Sequence, residues 1–177
     1  MVTFVEPPAE PPVHLTDTRA LLNGYLDYYR DALLRKLDGL ADEQLRTSLL
    51  PSGWTPLELL KHLTYVEIRW LQRGFLGDDV PEPFGDRGPG GRPEGAWRVL
   101  PDETLDDLRT AFLSTAETSR GIIAAAALDD LQRAHFDHFS DEPPSLAWIL
   151  FHLLQEYARH VGQLDVVREL ADGVIGE

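Results

Sequence analysis

The stretch WTPLELLKHLTYVEIRWLQRGFLG, residues 54–77, spreads apolar side chains over an unusually wide arc of a helix. Leu57, Leu60, Leu63, Val66, Leu71 and Phe75 recur at helical spacing, and a stripe that wide is covered only when neighbours pack against it on two sides. That requirement points to helices packed around helices. The start of the segment is well marked. Thr55 reads as the N-cap, Pro56 as the first helical residue and Glu58 as the third, which closes a capping box. Gly77 is the expected stop.

Three more patterns of the same kind follow the 3.6-residue period. In TDTRALLNGYLDYYRDALLRKLDGL, Thr16 is the expected cap, Leu22, Tyr25, Leu26, Tyr29, Leu33 and Leu37 form the stripe, and Gly39 ends it. Gly24, inside the stripe, costs about 1 kcal/mol of helix propensity relative to alanine, which suggests a close helix approach. A third helix is expected from about Leu105 to Leu128, with Leu108, Phe112, Thr115, Ser119 and Ile122 inward. A fourth starts at Ser145 and runs to Asp172, with Gly173 after it. ADEQLRTSLLPSG reads as a short helical turn and a loop, and the Gly/Pro-rich residues 78–97 as a long loop. No strand pattern competes. The expected fold is all-α, a four-helix bundle with long connections. Residues 1–15 read as a proline-rich extended arm and residues 16–177 as a single bundle domain.

Composition narrows the chemistry. With no cysteine, disulfides, thiolate ligands and cysteine nucleophiles are excluded. A formal charge of −14 repels nucleic-acid phosphate and anionic lipid, so neither nucleic acid nor membrane is an expected partner. The first residues show neither the charged nor the apolar region of a secretory signal, and no run of apolar residues is long enough to span a membrane. A cytoplasmic protein is expected.

The polar residues on apolar faces carry the functional signal. In EYARHVGQLD, Glu156 precedes His160 by one helical turn, so both lie on one face. At about 100° per residue, His160 falls within the cluster of Leu146, Leu150, Leu153, Tyr157 and Leu164, Glu156 falls on its flank, and His152 falls towards the polar side. On the second helix, His62 borders the wide apolar arc and Glu67 lies nearer its middle. Burying a carboxylate near an imidazole is costly unless each is paired or coordinated. Bundle cores build metal sites from such residues on facing helices, and three N/O ligands with an open position form a catalytic zinc-type pattern. Zinc, nickel and iron all suit such ligands. Spacing alone leaves three readings open: a metal site, a buried polar pair and a solvated face. His14, His135 and His138 fall in the arm or loops and are spare ligands.

The blocks PSGWTPLELLKHL and EYARHVGQLD, together with SLAWILFHLLQ between prolines and the latter, resemble the DinB-like superfamily over about Thr16 to Gly173. The likeness is greatest to a branch of actinobacterial proteins long classed as a domain of unknown function. The resemblance implies a four-helix bundle with a divalent metal in its core, and often a homodimer. Its metal triad, carried onto this chain, is His62, Glu156 and His160. Many relatives have histidine at the position of Glu156, whereas mycothiol-dependent maleylpyruvate isomerases have glutamate. The superfamily also includes bacillithiol S-transferases. The isomerases carry a second domain beyond the bundle, which is not expected here.

Two functional classes follow from the resemblance. The first is an enzyme: a metal-dependent thiol S-transferase, or a related hydrolase or isomerase, using mycothiol or another small thiol against a small electrophile. Gln163 and Glu67 are then candidates to orient ligands or accept a proton, and Arg69, Arg159 and Arg168 to pair with substrate carboxylates or with surface acids. The second is a non-catalytic metal- or ligand-binding dimer with a stress-related role, using Trp54, Trp70 and Phe75 at an extra interface. A metal-free structural bundle is a third reading.

Overall fold

The computed structural model describes residues 3–4, 7–81, 97–134 and 142–175. His135 and His138, and most of the loop expected at 78–97, lie outside these residues. The described chain is all-α apart from one short strand pair. The helices are α1 (Thr18–Leu37), α2 (Asp42–Leu45), α3 (Pro56–Glu67), a π-helical continuation of α3 (Ile68–Leu76), α4 (Leu105–Ala125) and α5 (Leu146–Asp172). Two-residue strands β1 (Thr3–Phe4) and β2 (Val174–Ile175) pair in parallel, Thr3 beside Val174 and Phe4 beside Ile175, where no strand was expected.

The chain forms two compact units whose boundaries fall inside α3 and α5: Met1–Leu60 with Leu154–Glu177, and Lys61–Leu153. In the first unit, α1 starts one residue later than expected. Asp17, not Thr16, is the cap, and its carboxylate accepts from the Ala20 amide at 2.8 Å. Leu22, Leu26, Leu33 and Leu37 are buried along the expected stripe. Gly24 does mark a close approach, but by the arm rather than by a helix. A Cβ there would stand 2.7 Å from Cγ of Pro11. Arg168 on α5 is buried and structural. Its guanidinium donates to the carbonyls of Lys36 (2.6 Å) and Asp38 (2.7 Å) and to the Asp172 carboxylate. It thus satisfies acceptors that the end of α1 leaves without intrahelical donors. Lys36 pairs in turn with Asp165, and Gln44 on α2 donates to the Ala171 carbonyl at 3.0 Å.

The capping box of α3 forms as expected. The Thr55 amide donates to Glu58 at 2.9 Å and the Glu58 amide to the Thr55 hydroxyl at 3.3 Å. In the second unit, the helix then widens into π turns, with Gly77 left-handed at its end. The wider turn buries Trp70, Leu71, Gly74 and Phe75 together, and this segment packs against α4. The Phe75 and Gly74 carbonyls accept from the amides of Arg133 (3.2 Å) and Ala134 (3.0 Å). Helix α4 is capped by a box between Thr104 and Asp107, and Leu108, Phe112, Thr115, Ser119 and Ile122 are buried as expected. It ends at Ala125, short of the expected Leu128. The first amides of α5 find acceptors across a turn, Leu146 on Asp130 (2.9 Å) and Ala147 on Leu128 (2.8 Å). No helix among the described residues is long and apolar enough to cross a membrane.

Candidate metal centre

The continuous helix through Glu156 and His160 brings their side chains together as the four-residue spacing requires. His160 Nε2 stands 3.3 Å from a Glu156 carboxylate oxygen, and the side chains are 18% and 20% exposed. His160 is therefore less enclosed than the sequence pattern suggested. On the other side of the ring, Nδ1 lies 3.2 Å from the amide oxygen of Gln163. With that oxygen accepting, Nδ1 carries the proton and Nε2 presents its lone pair on the Glu156 side. A lone pair and a carboxylate oxygen 3.3 Å apart repel unless a proton or a cation lies between them.

His62, on α3, is only 2% exposed. The Trp97 indole stacks on its ring, with centroids 3.7 Å apart and planes at 21°. Lys61 beside it donates to the Glu103 carboxylate at 2.6 and 2.7 Å and to the Arg98 carbonyl at 3.0 Å. Tyr65, one turn on, lies with its ring 6.0 Å from the Lys61 ammonium. Burial, and secondarily the Glu103 charge, push its phenol above the usual value of 10.0, so it keeps its proton at neutral pH. Glu67, the last residue of α3, is buried at 1% exposure.

Among the described residues, His62, Glu156 and His160 each offer one ligand atom, and these atoms all lie within 4.8 Å of one another. This is a candidate His/Glu metal site. His152 is not turned outward as expected. It is half-buried, its ring stacked on Trp148 at 5.2 Å and tilted against Trp70 at 4.6 Å. Trp70 and Phe75 are buried, which removes them from any exposed interface. Arg69 lies over the Trp70 ring at 5.8 Å, Arg159 is exposed, and His14 is exposed on the arm. Trp97, Lys61 and Glu103 were not among the site residues expected from the sequence. The only available signal was a lone tryptophan ending a Gly/Pro-rich stretch.

An all-α bundle carrying a His/Glu cluster defines the class: a helical protein of the DinB-like type with a candidate metal centre. The chain belongs to the mycothiol-S-transferase family, whose profile matches residues 21–173. A conserved protein from Enterococcus faecalis of known crystal structure is similar over 90% of this chain and 99% of its own, with a TM-score of 0.64. At 16% identity that likeness concerns the fold alone. A search of curated proteins returned no match.

Proposed function

We propose that His62, Glu156 and His160 bind one divalent cation, zinc by preference with nickel or iron compatible, and that the protein transfers a small thiol to a small electrophile. Membership of the mycothiol-S-transferase family supports a thiol-transfer role and favours mycothiol as the thiol. The observation that carries the metal reading is the Glu156–His160 pair. His160 Nε2 and a Glu156 oxygen stand 3.3 Å apart, and with the Gln163 oxygen accepting at the outer ring nitrogen the two form a place for a cation on the inner side. The spacing of this pair also fits. Ligand atoms about 2.0–2.1 Å from a tetrahedral zinc stand roughly 3.3 Å apart. Two neutral imidazoles and one carboxylate would leave a bound dication with a net positive charge, suited to an anionic sulfur. Such a cation lowers the pKa of a coordinated thiol and supplies a thiolate at neutral pH, which a chain without cysteine cannot supply itself.

The chain's own residues then have distinct tasks. Gln163 fixes the His160 tautomer. Glu156 provides the negative charge that holds the cation. Glu67 is proposed as the group that accepts the proton lost by the thiol. In the transfer, the thiol sulfur bonds to the electrophilic carbon, the leaving group departs with its electron pair, and the thiol proton passes to a base. A cytoplasmic setting, where small thiols are kept reduced, accords with this chemistry.

A second reading, a non-catalytic dimeric bundle that binds a metal or ligand in a stress response, draws support from Trp148 and Phe151 on α5, which are 43% and 57% exposed. The deciding experiment is elemental analysis of wild type beside His160→Ala, followed by conjugation of mycothiol to a chlorobimane. About one zinc, nickel or iron per chain is expected in wild type, with background levels in the variant and conjugation that a chelator abolishes. No metal after reconstitution would overturn the site. Metal-loaded protein indifferent to mycothiol, running as a dimer, would favour the second reading.

A further inference from the structure

Trp97 and the residues after it are gripped by two consecutive residues of α3. The indole covers a face of the His62 ring, and the neighbouring Lys61 holds Arg98 through its carbonyl and Glu103 through its carboxylate. Glu103 also accepts from the Leu100 amide at 2.6 Å, which closes the 97–103 segment on itself. Lys61 is itself buried, at 6% exposure, and its ammonium meets the opposite charge of Glu103, so the anchor is a charge-assisted one in partly dry surroundings.

From this arrangement we infer that Trp97 is a positioning residue: with the Lys61–Glu103 anchor, it holds the plane of the His62 imidazole. The physical need is plain. The second side-chain torsion of histidine is broad and roughly two-fold, so an unsupported ring samples orientations that aim its nitrogens in different directions. Metal-binding histidines are commonly fixed by a hydrogen bond from the ring nitrogen that does not bind the metal. A stacked indole fixes the plane differently: it covers a face, whereas a ring nitrogen binds through a lone pair that lies in the ring plane. The consequence for metal binding rests on the proposed function above; the orientation of the ring does not.

The test uses the full chain as wild type, Trp97→Phe, Trp97→Ala, Lys61→Met and His62→Gln. In metal-free protein with ¹⁵N-labelled histidine, the His62 ring resonances are assigned by their loss in His62→Gln. A single ring signal displaced by the indole is expected in wild type. Trp97→Ala should shift and broaden it, Trp97→Phe should keep one sharp signal, and Lys61→Met should fall between. Cobalt titration followed by d–d absorption gives the second readout. Trp97→Ala should weaken cobalt binding by about tenfold to a hundredfold and alter the band shape, with Trp97→Phe close to wild type. Melting temperatures of all variants separate positioning from general loss of stability. The inference is overturned if Trp97→Ala keeps a sharp single His62 signal and wild-type cobalt affinity. It is equally overturned if Trp97→Phe loses both in proportion to its melting temperature. Should wild type take up no cobalt, the metal reading fails, while the His62 resonances still decide whether Trp97 orients the ring.

Discussion

The two halves of the candidate ligand set are held in opposite ways. Glu156 and His160 sit one turn apart on one helix, each about one-fifth exposed, and their geometry follows from helix spacing with help from a residue three positions on. His62 is buried, and its surroundings come from Trp97, thirty-five positions away along the chain, with an ionic anchor at Lys61 and Glu103. Each ligand therefore depends on a different part of the chain. The pair should tolerate disturbance of the tertiary structure as long as its helix persists. His62 should be sensitive to a segment that no local pattern connects to it.

Three measurements test that contrast. The largest effect is expected from Arg168→Met. It strips the donor from the carbonyls of Lys36 and Asp38 and should destabilise the fold by about 2–4 kcal/mol in urea unfolding. If the pair is as self-sufficient as its spacing implies, metal affinity per folded molecule should stay near wild type. A matched loss of affinity would show that the pair too relies on distant anchors. A smaller effect is expected from Gln163→Leu, which removes the partner of His160 Nδ1. Metal affinity should fall about tenfold with little change in melting temperature, read by competition with a chromophoric chelator.

The smallest effect concerns the far end of the segment that carries Trp97. Hydrogen bonds from the Thr104 hydroxyl and amide hold the Asp107 carboxyl below its ordinary 3.8. A lowered folded-state value contributes stability that is present above the unfolded value and is lost as pH falls through the folded one. Melting temperature should therefore drop below about pH 4, and Asp107→Asn should show a slightly shallower acid slope than wild type. Identical slopes would mean that this cap contributes nothing measurable to holding α4.

Much of the fold was legible because helix periodicity and end signals are local. The Thr55–Glu58 box, the inward stripe of α4 and the stop at Gly77 appear where the pattern put them. The departures have physical causes. Asp17 displaced Thr16 as the cap because its carboxylate reaches the Ala20 amide three residues on. Gly24 signalled a close approach, but the bare pattern of one helix does not reveal which segment approaches, and Pro11 of the arm does. The π turns of Ile68–Leu76 use the same residue types as an α-helix, and their carbonyls meet amides from Arg133 and Ala134, more than fifty positions later. His152 looked solvent-facing by angle alone, yet two tryptophans shelter it.

The helices, the lack of any cysteine thiol and the one-turn juxtaposition of Glu156 and His160 were all readable from the residues alone. Each depends on residue identity or on spacing within one element. Only the tertiary structure decided that Arg168 serves the end of α1 rather than a ligand, and that Trp97 lies on His62. Those outcomes depend on which buried donors and ring faces remain to be matched once the helices have packed, and that matching is made across long stretches of chain.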